Sequence, residues 1–251
     1  TRLNTLFPYT TLFRSPAPGP AHALGRRTVT GASGRRQGPG RPPRVGLPVG
    51  IGVGASAGGP RALLSLLGGL ELPRSALAFL VQHIHPRFTG VLGRRLNEAS
   101  ALPVVEAEDG ATALPGRVYM APAGRHLIVE RSWPCLYRMR LTDQPARYGV
   151  RPSVDDLFIS LAAAFGPRAI GVVLTGMGRD GVEGAQAIKA QGGTILAEAE
   201  STCIVYGMPR ALAEAGLADR MVPIGEMAQA IREAAMAAAG LQRHAVAPGR
   251  G

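Results

Sequence analysis

The stretch Gly52-Val53-Gly54-Ala55-Ser56-Ala57-Gly58-Gly59-Pro60 decides how this 251-residue chain is read. The apolar run Val49 to Val53 predicts a buried strand. Beyond the stretch, Pro60-Arg61-Ala62-Leu63-Leu64-Ser65-Leu66-Leu67 predicts a helix, with Pro60 in the first turn, where a missing N–H costs nothing. Strand, glycine-dense turn and helix in succession set Ser56 beside backbone N–H groups at a positive helix end. Two readings follow. Ser56 is the only nucleophile in the turn, so the turn suits a catalytic serine if something can activate it. The same residues satisfy G-x-G-x-x-A, a dinucleotide-binding turn.

Working outward, Ala76-Leu77-Ala78-Phe79-Leu80-Val81 predicts a second buried strand, ending in Gln82-His83-Ile84-His85-Pro86. A dinucleotide fold wants Asp or Glu at that strand end to hold a ribose, so Gln82-His83 counts against it. Thr89 is placed to N-cap a helix running to about Ala99. From Leu102 to Leu141 short apolar runs are punctuated by Asp109-Gly110 and Pro115-Gly116, which predicts hairpins and an antiparallel edge on a parallel sheet. Ser153-Val154-Asp155-Asp156 has the form of a capping box ahead of a helix from Leu157 to Phe165. Ala169 to Thr175 is the strongest buried strand and ends in a second glycine-dense turn, Gly176-Met177-Gly178-Arg179-Asp180-Gly181. A helix to about Gln191, a strand over 194–197, a short helix from Met208, a strand over 221–224 and a helix over 226–239 complete the pattern. The alternation predicts an α/β fold: a doubly wound, mainly parallel, Rossmann-like sheet with an antiparallel hairpin edge.

Composition narrows the function. The net charge is +11, but residues 1–47 hold eight arginines and no acidic residue, so the remainder carries only +3. The basic character belongs to that Gly- and Pro-rich segment, which reads as disordered, and the folded part calls for no nucleic-acid partner. Thr1 to Ser15 resembles translated sequencing-adapter sequence and is set aside. Residues 48–240 form the expected domain and 241–251 a flexible tail. Cys135 and Cys203 lie far apart in apolar surroundings, fitting inert core thiols in a reducing compartment and no metal-like spacing. Without an apolar run long enough to span a bilayer or a signal peptide, the expected setting is the cytoplasm, with no membrane insertion.

In doubly wound sheets, ligand and active sites lie outside the C-terminal strand ends. Ser56, His83 and Asp180 all fall there, and together they are the parts of a relay. The imidazole takes the hydroxyl proton and the carboxylate fixes and stabilises the imidazolium. Each has a plainer use as a cap or as a satisfied polar group at a strand end. Gly54-Ala55-Ser56-Ala57-Gly58 also fits the G-x-S-x-G elbow of α/β-hydrolases. That fold places its histidine last, and only His126 and His244 would be available.

Five motifs in order carry a family resemblance: Gly54-Ala55-Ser56-Ala57-Gly58-Gly59, Gln82-His83 with Phe88-Thr89, Arg151-Pro152-Ser153-Val154-Asp155, Leu174 to Gly181, and Tyr206-Gly207-Met208-Pro209. From about Val49 to Ile231 the chain resembles the chemotaxis methylesterase (CheB) family. The resemblance implies Ser56 as nucleophile, His83 as general base, Asp180 as orienting carboxylate, and an oxyanion hole that includes the Met177 N–H, with Ala57 supplying a second. It implies hydrolysis of glutamyl γ-methyl esters on the cytoplasmic helices of chemoreceptors, glutamine deamidation by the same nucleophile, and no metal or organic cofactor. Three features depart from the pattern. Ala57 stands where the family often has Thr, His85 where it usually has Pro, and residues 1–47 are too few for the receiver domain that members commonly carry, which leaves a stand-alone esterase, with any receiver in trans, or a fragment of a longer protein. The competing expectations are a Rossmann-like nucleotide-binding module and an esterase acting on a non-receptor protein.

Overall fold

In the computed structural model, which describes residues 47–240, strand β1 (Val49–Ala55) lies at the middle of a seven-stranded sheet. Its neighbours are β2 (Ala76–Gln82) and β7 (Ala169–Val173), both parallel to it. The full order is β3-β4-β2-β1-β7-β8-β9, with β3 (Val104–Glu106) and β4 (Val118–Met120) on one side and β8 (Thr194–Glu198) and β9 (Arg220–Val222) on the other. Every pairing in it is parallel. The chain winds one way from β1 to β2 and the other way from β7 to β9. The switch point, where doubly wound folds keep their sites, therefore lies beside β1.

The period-2 alternation of β1 explains its glycines. Val49, Ile51, Val53 and Ala55 face a core shared with Leu63, Leu66 and Leu67 of α1 (Gly59–Gly68) and Met227 and Ile231 of α6 (Ile224–Ala238). α2 (Thr89–Ala99) adds Leu92 and Leu96 to that layer. Gly50, Gly52 and Gly54 face α3 (Val154–Phe165) instead. A methyl at these positions would come within 2.4 Å of Phe165, 2.7 Å of Leu161 and 2.5 Å of Val154. The G-x-G spacing is thus a groove that lets α3 lie directly on the strand. The same layer holds α4 (Val182–Ala190) and α5 (Met208–Glu214).

The Leu102–Leu141 region departs in detail from its expected form. The antiparallel hairpin exists, as β5 (His126–Trp133) and β6 (Leu136–Thr142), but it forms a separate two-stranded sheet. On that side of the main sheet, β3 at the edge and β4 next to it are parallel. The alternating Tyr137, Met139 and Leu141 turn inward, the Tyr137 ring stacks on Phe165 at 4.0 Å, and the Val129 N–H donates to Ser160 Oγ of α3 at 3.0 Å. Docking on a helix satisfies the hairpin's apolar face. Thr89 is the first residue of α2 rather than its cap; its Oγ1 accepts from the Ala123 N–H at 3.4 Å, tying down the loop after β4. The cysteines are free, and Cys135 is exposed in the hairpin turn, so it is no core thiol. The basic segment at 1–47, save its last residue, and the tail at 241–251 lie outside the described residues, as does His244.

Candidate active site

Ser56 and His83 leave the sheet side by side. β1 and β2 are in register at Ala55 and Gln82, so the next residue on each strand is a neighbour of the other, and the His83 N–H donates to Ala55 O at 3.0 Å. The Gln82 side chain braces the pair: Nε2 donates to the carbonyls of both Ser56 and His83 at 2.9 Å. The Ser56 N–H reaches across to Thr175 O, just past β7, at 3.1 Å. Among the described residues the Ser56 hydroxyl makes no hydrogen bond, to His83 or to any other group. Nucleophile–base contacts commonly close only when substrate binds.

Asp180 is joined to His83 directly, Nε2 to Oδ2 at 2.8 Å. Because Nε2 is taken up by a carboxylate, the neutral ring keeps Nδ1 as its acceptor. The seat of Asp180 is the N-terminus of α3. Oδ1 accepts from Ser153 Oγ at 2.8 Å and from the Asp155 N–H at 3.0 Å, and Oδ2 accepts from the Val154 N–H at 2.7 Å. Burial pushes the Asp180 carboxyl up, but the hydrogen bonds from His83, Val154 and Asp155 outweigh it and hold the group below the usual carboxylate value of 3.8. Asp180 therefore does cap a helix, though not the one that follows it. The N-cap of α4 is Gly181, at φ 104°. Ser153 caps α3 as expected, accepting from the Asp156 N–H at 3.4 Å, and at the same time it donates to Asp180.

The two backbone donors expected of an oxyanion hole have no protein acceptor among the described residues. These are the N–H groups of Ala57 and Met177. Ala57 is exposed and Met177 is 77% exposed, so both stand at the surface around Ser56. The turn carrying Met177 is held from behind. Gly176 N–H donates to Val205 O, and Gly176 O accepts from the N–H groups of Gly207 and Met208 at 3.1 and 2.8 Å. Gly176 itself lies against Ser56, where a methyl would come within 2.8 Å of the serine Cβ. That contact explains why Tyr206-Gly207-Met208-Pro209, 30 residues downstream of the turn, belongs to the site: its backbone positions Gly176 and Met177.

Two other histidines make neither the Asp180 contact nor the strand-end pairing with Ser56. His85 is exposed, with Nδ1 accepting from the Arg87 N–H at 3.3 Å. His126 is buried; its Nδ1 lies 2.7 Å from Asp156 Oδ2 and accepts from the Ser153 N–H at 3.2 Å. The glycines of the turn are accounted for by protein side chains. A methyl at Gly58 would meet Ile204 at 2.6 Å, and one at Gly59 would meet Gln82 Oε1 at 2.0 Å. Among the described residues no group of three or more His, Cys, Asp or Glu side chains converges as a metal site would.

A doubly wound sheet that gathers a serine, a histidine and a buried aspartate around its switch point has the layout of an α/β serine hydrolase domain. The chain belongs to the CheB methylesterase family, whose model matches residues 51–231. A protein-glutamate methylesterase/protein-glutamine glutaminase of Moorella thermoacetica is 46% identical over 216 residues, covering 86% of this chain and 50% of that protein. One from Myxococcus xanthus is 49% identical over 180 residues, covering 72% and 51%. The chain thus spans about half the length of the curated relatives it matches. The crystal structure of the Thermotoga maritima CheB methylesterase catalytic domain superposes with a TM-score of 0.71 at 38% identity, covering 74% of this chain and 98% of that one. The expected doubly wound fold is that of this catalytic domain.

Proposed function

We propose that residues 48–240 are a protein-glutamate methylesterase domain that hydrolyses glutamyl γ-methyl esters on chemoreceptor helices and deamidates glutamine by the same route. The observation that carries the reading is the 2.8 Å contact of His83 Nε2 with a buried aspartate, made where β2 ends beside the Ser56 turn. With Nε2 engaged, Nδ1 of His83 takes the Ser56 proton as Oγ attacks the ester carbonyl. The Ala57 and Met177 N–H groups receive the developing oxyanion, each such donor stabilising it by about 3 kcal/mol. His83 then gives its proton to the departing methoxide, or, on glutamine, to the leaving amide nitrogen, which departs as ammonia. Water, activated by the same nitrogen, releases the acyl group and leaves a carboxylate. Asp180 stays ionised throughout and stabilises the imidazolium, which its lowered pKa favours.

The names of the relatives, protein-glutamate methylesterase/protein-glutamine glutaminase, support the substrate class. The expected setting is the cytoplasm. Among the described residues no helix is long and apolar enough to cross a membrane. The test is methanol release from a methylated chemoreceptor fragment beside an unrelated methyl-esterified protein. Release from the receptor fragment alone supports the reading. Release from the unrelated protein alone moves the substrate elsewhere, and tight nucleotide binding with no release from either would favour a binding module.

A further inference from the structure

Asp155 is the second residue of α3, and its backbone N–H is one of the donors to Asp180. Its own side chain is fully buried. Oδ1 accepts from the Gly184 N–H of α4 at 2.7 Å, whereas Oδ2 is buried with no partner at hydrogen-bond distance among the described residues. α3 and α4 meet closely at this point: a methyl on Gly184 would lie 2.4 Å from Phe158 Cβ and 3.0 Å from Asp155 O. Two carboxylates thus sit at one helix end, and only Asp180 has four donors.

The surrounding charges do not neutralise a second anion. Asp156, on the same helix, is paired with His126 and Arg147. From α4 comes Glu183, which binds Arg147 at 2.6 Å and the Tyr148 hydroxyl. Arg147, from the loop ahead of α3, is therefore engaged by two other carboxylates. His83, from the end of β2, is engaged by Asp180. An ionised Asp155 would be a buried charge with one donor, beside an ionised neighbour.

We propose that Asp155 carries a proton on its buried Oδ2 and, as a neutral carboxyl, is the positioning residue that keeps Asp180 the single negative charge behind His83. The proton turns the buried, unpartnered oxygen into a donor and leaves no second charge at the helix end that holds Asp180. Burial first, and then the negative charges of Asp180 and Glu183, push Asp155 up to about 7, against the Gly184 N–H, which pulls it down. The role rests on Asp180 being the orienting carboxylate of the proposed hydrolase.

The test uses the full chain and its Asp155→Asn and Asp155→Ala variants. Between the unfolded value of 3.8 and about 7 the folded protein holds a proton that the unfolded chain has released, so wild-type stability falls as pH rises across that window. Asparagine has no such proton. The Tm of Asp155→Asn relative to wild type is expected to climb by about 4 °C or more from about pH 4 to about pH 8. An infrared carboxylic-acid carbonyl band present in wild type near pH 6 is expected to vanish in Asp155→Asn. Asp155→Asn is expected to recover most of the kcat lost in Asp155→Ala. A Tm difference flat with pH, or an acid band unchanged by the substitution, overturns the proposal. Failure of the hydrolase reading would look different: no methanol release at any pH, with the Tm profile and the infrared band as expected.

Discussion

Among the described residues a histidine meets an aspartate twice. His83 and Asp180 meet at 2.8 Å, His126 and Asp156 at 2.7 Å, and the two pairs lie on either side of the Ser153 cap of α3. Their surroundings differ in kind. The His83 side chain is 9% exposed, stands beside the Ser56 turn, and has a carboxylate held by three further donors. The His126 side chain is 1% exposed, its Nε2 is buried without a partner among the described residues, and its carboxylate is neutralised by Arg147. An imidazole next to a carboxylate is therefore no relay by itself. What matters is a nucleophile in reach, a path for substrate, and a carboxylate with no competing cation.

Substitutions break this contrast to different degrees. The largest effect is expected from Ser56→Ala, which removes the nucleophile and should lower kcat by about 10⁵-fold or more in single-turnover ester hydrolysis. Asp180→Asn keeps the shape but disturbs the tautomer of His83, for a loss of about 10⁴-fold in kcat. It carries a pH signature in stability as well. The folded pKa of Asp180 is depressed, so its contribution is present above 3.8 and is lost as pH falls through the lower folded value. The destabilisation of Asp180→Asn in urea melts should therefore be large at neutral pH and shrink in acid.

Smaller effects sharpen the comparison. Gly54→Ala would press a methyl to 2.5 Å from Val154, whose N–H holds Asp180; a loss of about 2 kcal/mol is expected, with kcat falling alongside. His126→Gln, at the second pair, should cost about 1–2 kcal/mol of stability and change kcat by no more than a few-fold, because Asp156 keeps Arg147. A loss of activity there comparable to that of Asp180→Asn would mean the two pairs act together.

Much of this was legible in the sequence, for identifiable reasons. β1, β2 and β7 are apolar runs that no other element fits, and Ser56, His83 and Asp180 stood out as the chemically useful residues just beyond them. The seat of Asp180 was not legible. Two of its donors are backbone N–H groups, carried by Val154 and Asp155, which sequence does not display, and they lie more than two dozen residues away. Gln82 showed as a motif residue and as one that was not acidic, with no role of its own, although its amide ties together the backbones of Ser56 and His83. The glycines of β1 matched a phosphate-binding spacing because close helix packing and close phosphate approach both require the absence of a Cβ. The three-residue strands β3 and β4 were too short for a period to show that they run parallel.

The central claim is that Ser56, served by the His83–Asp180 pair and not by His126–Asp156, performs the chemistry. Methanol release from a methylated receptor fragment, measured side by side for wild type, Ser56→Ala, Asp180→Asn and His126→Gln, tests it most directly. Release is expected from wild type and His126→Gln, none detectable from Ser56→Ala, and only a trace from Asp180→Asn. Undiminished release by Ser56→Ala would contradict it.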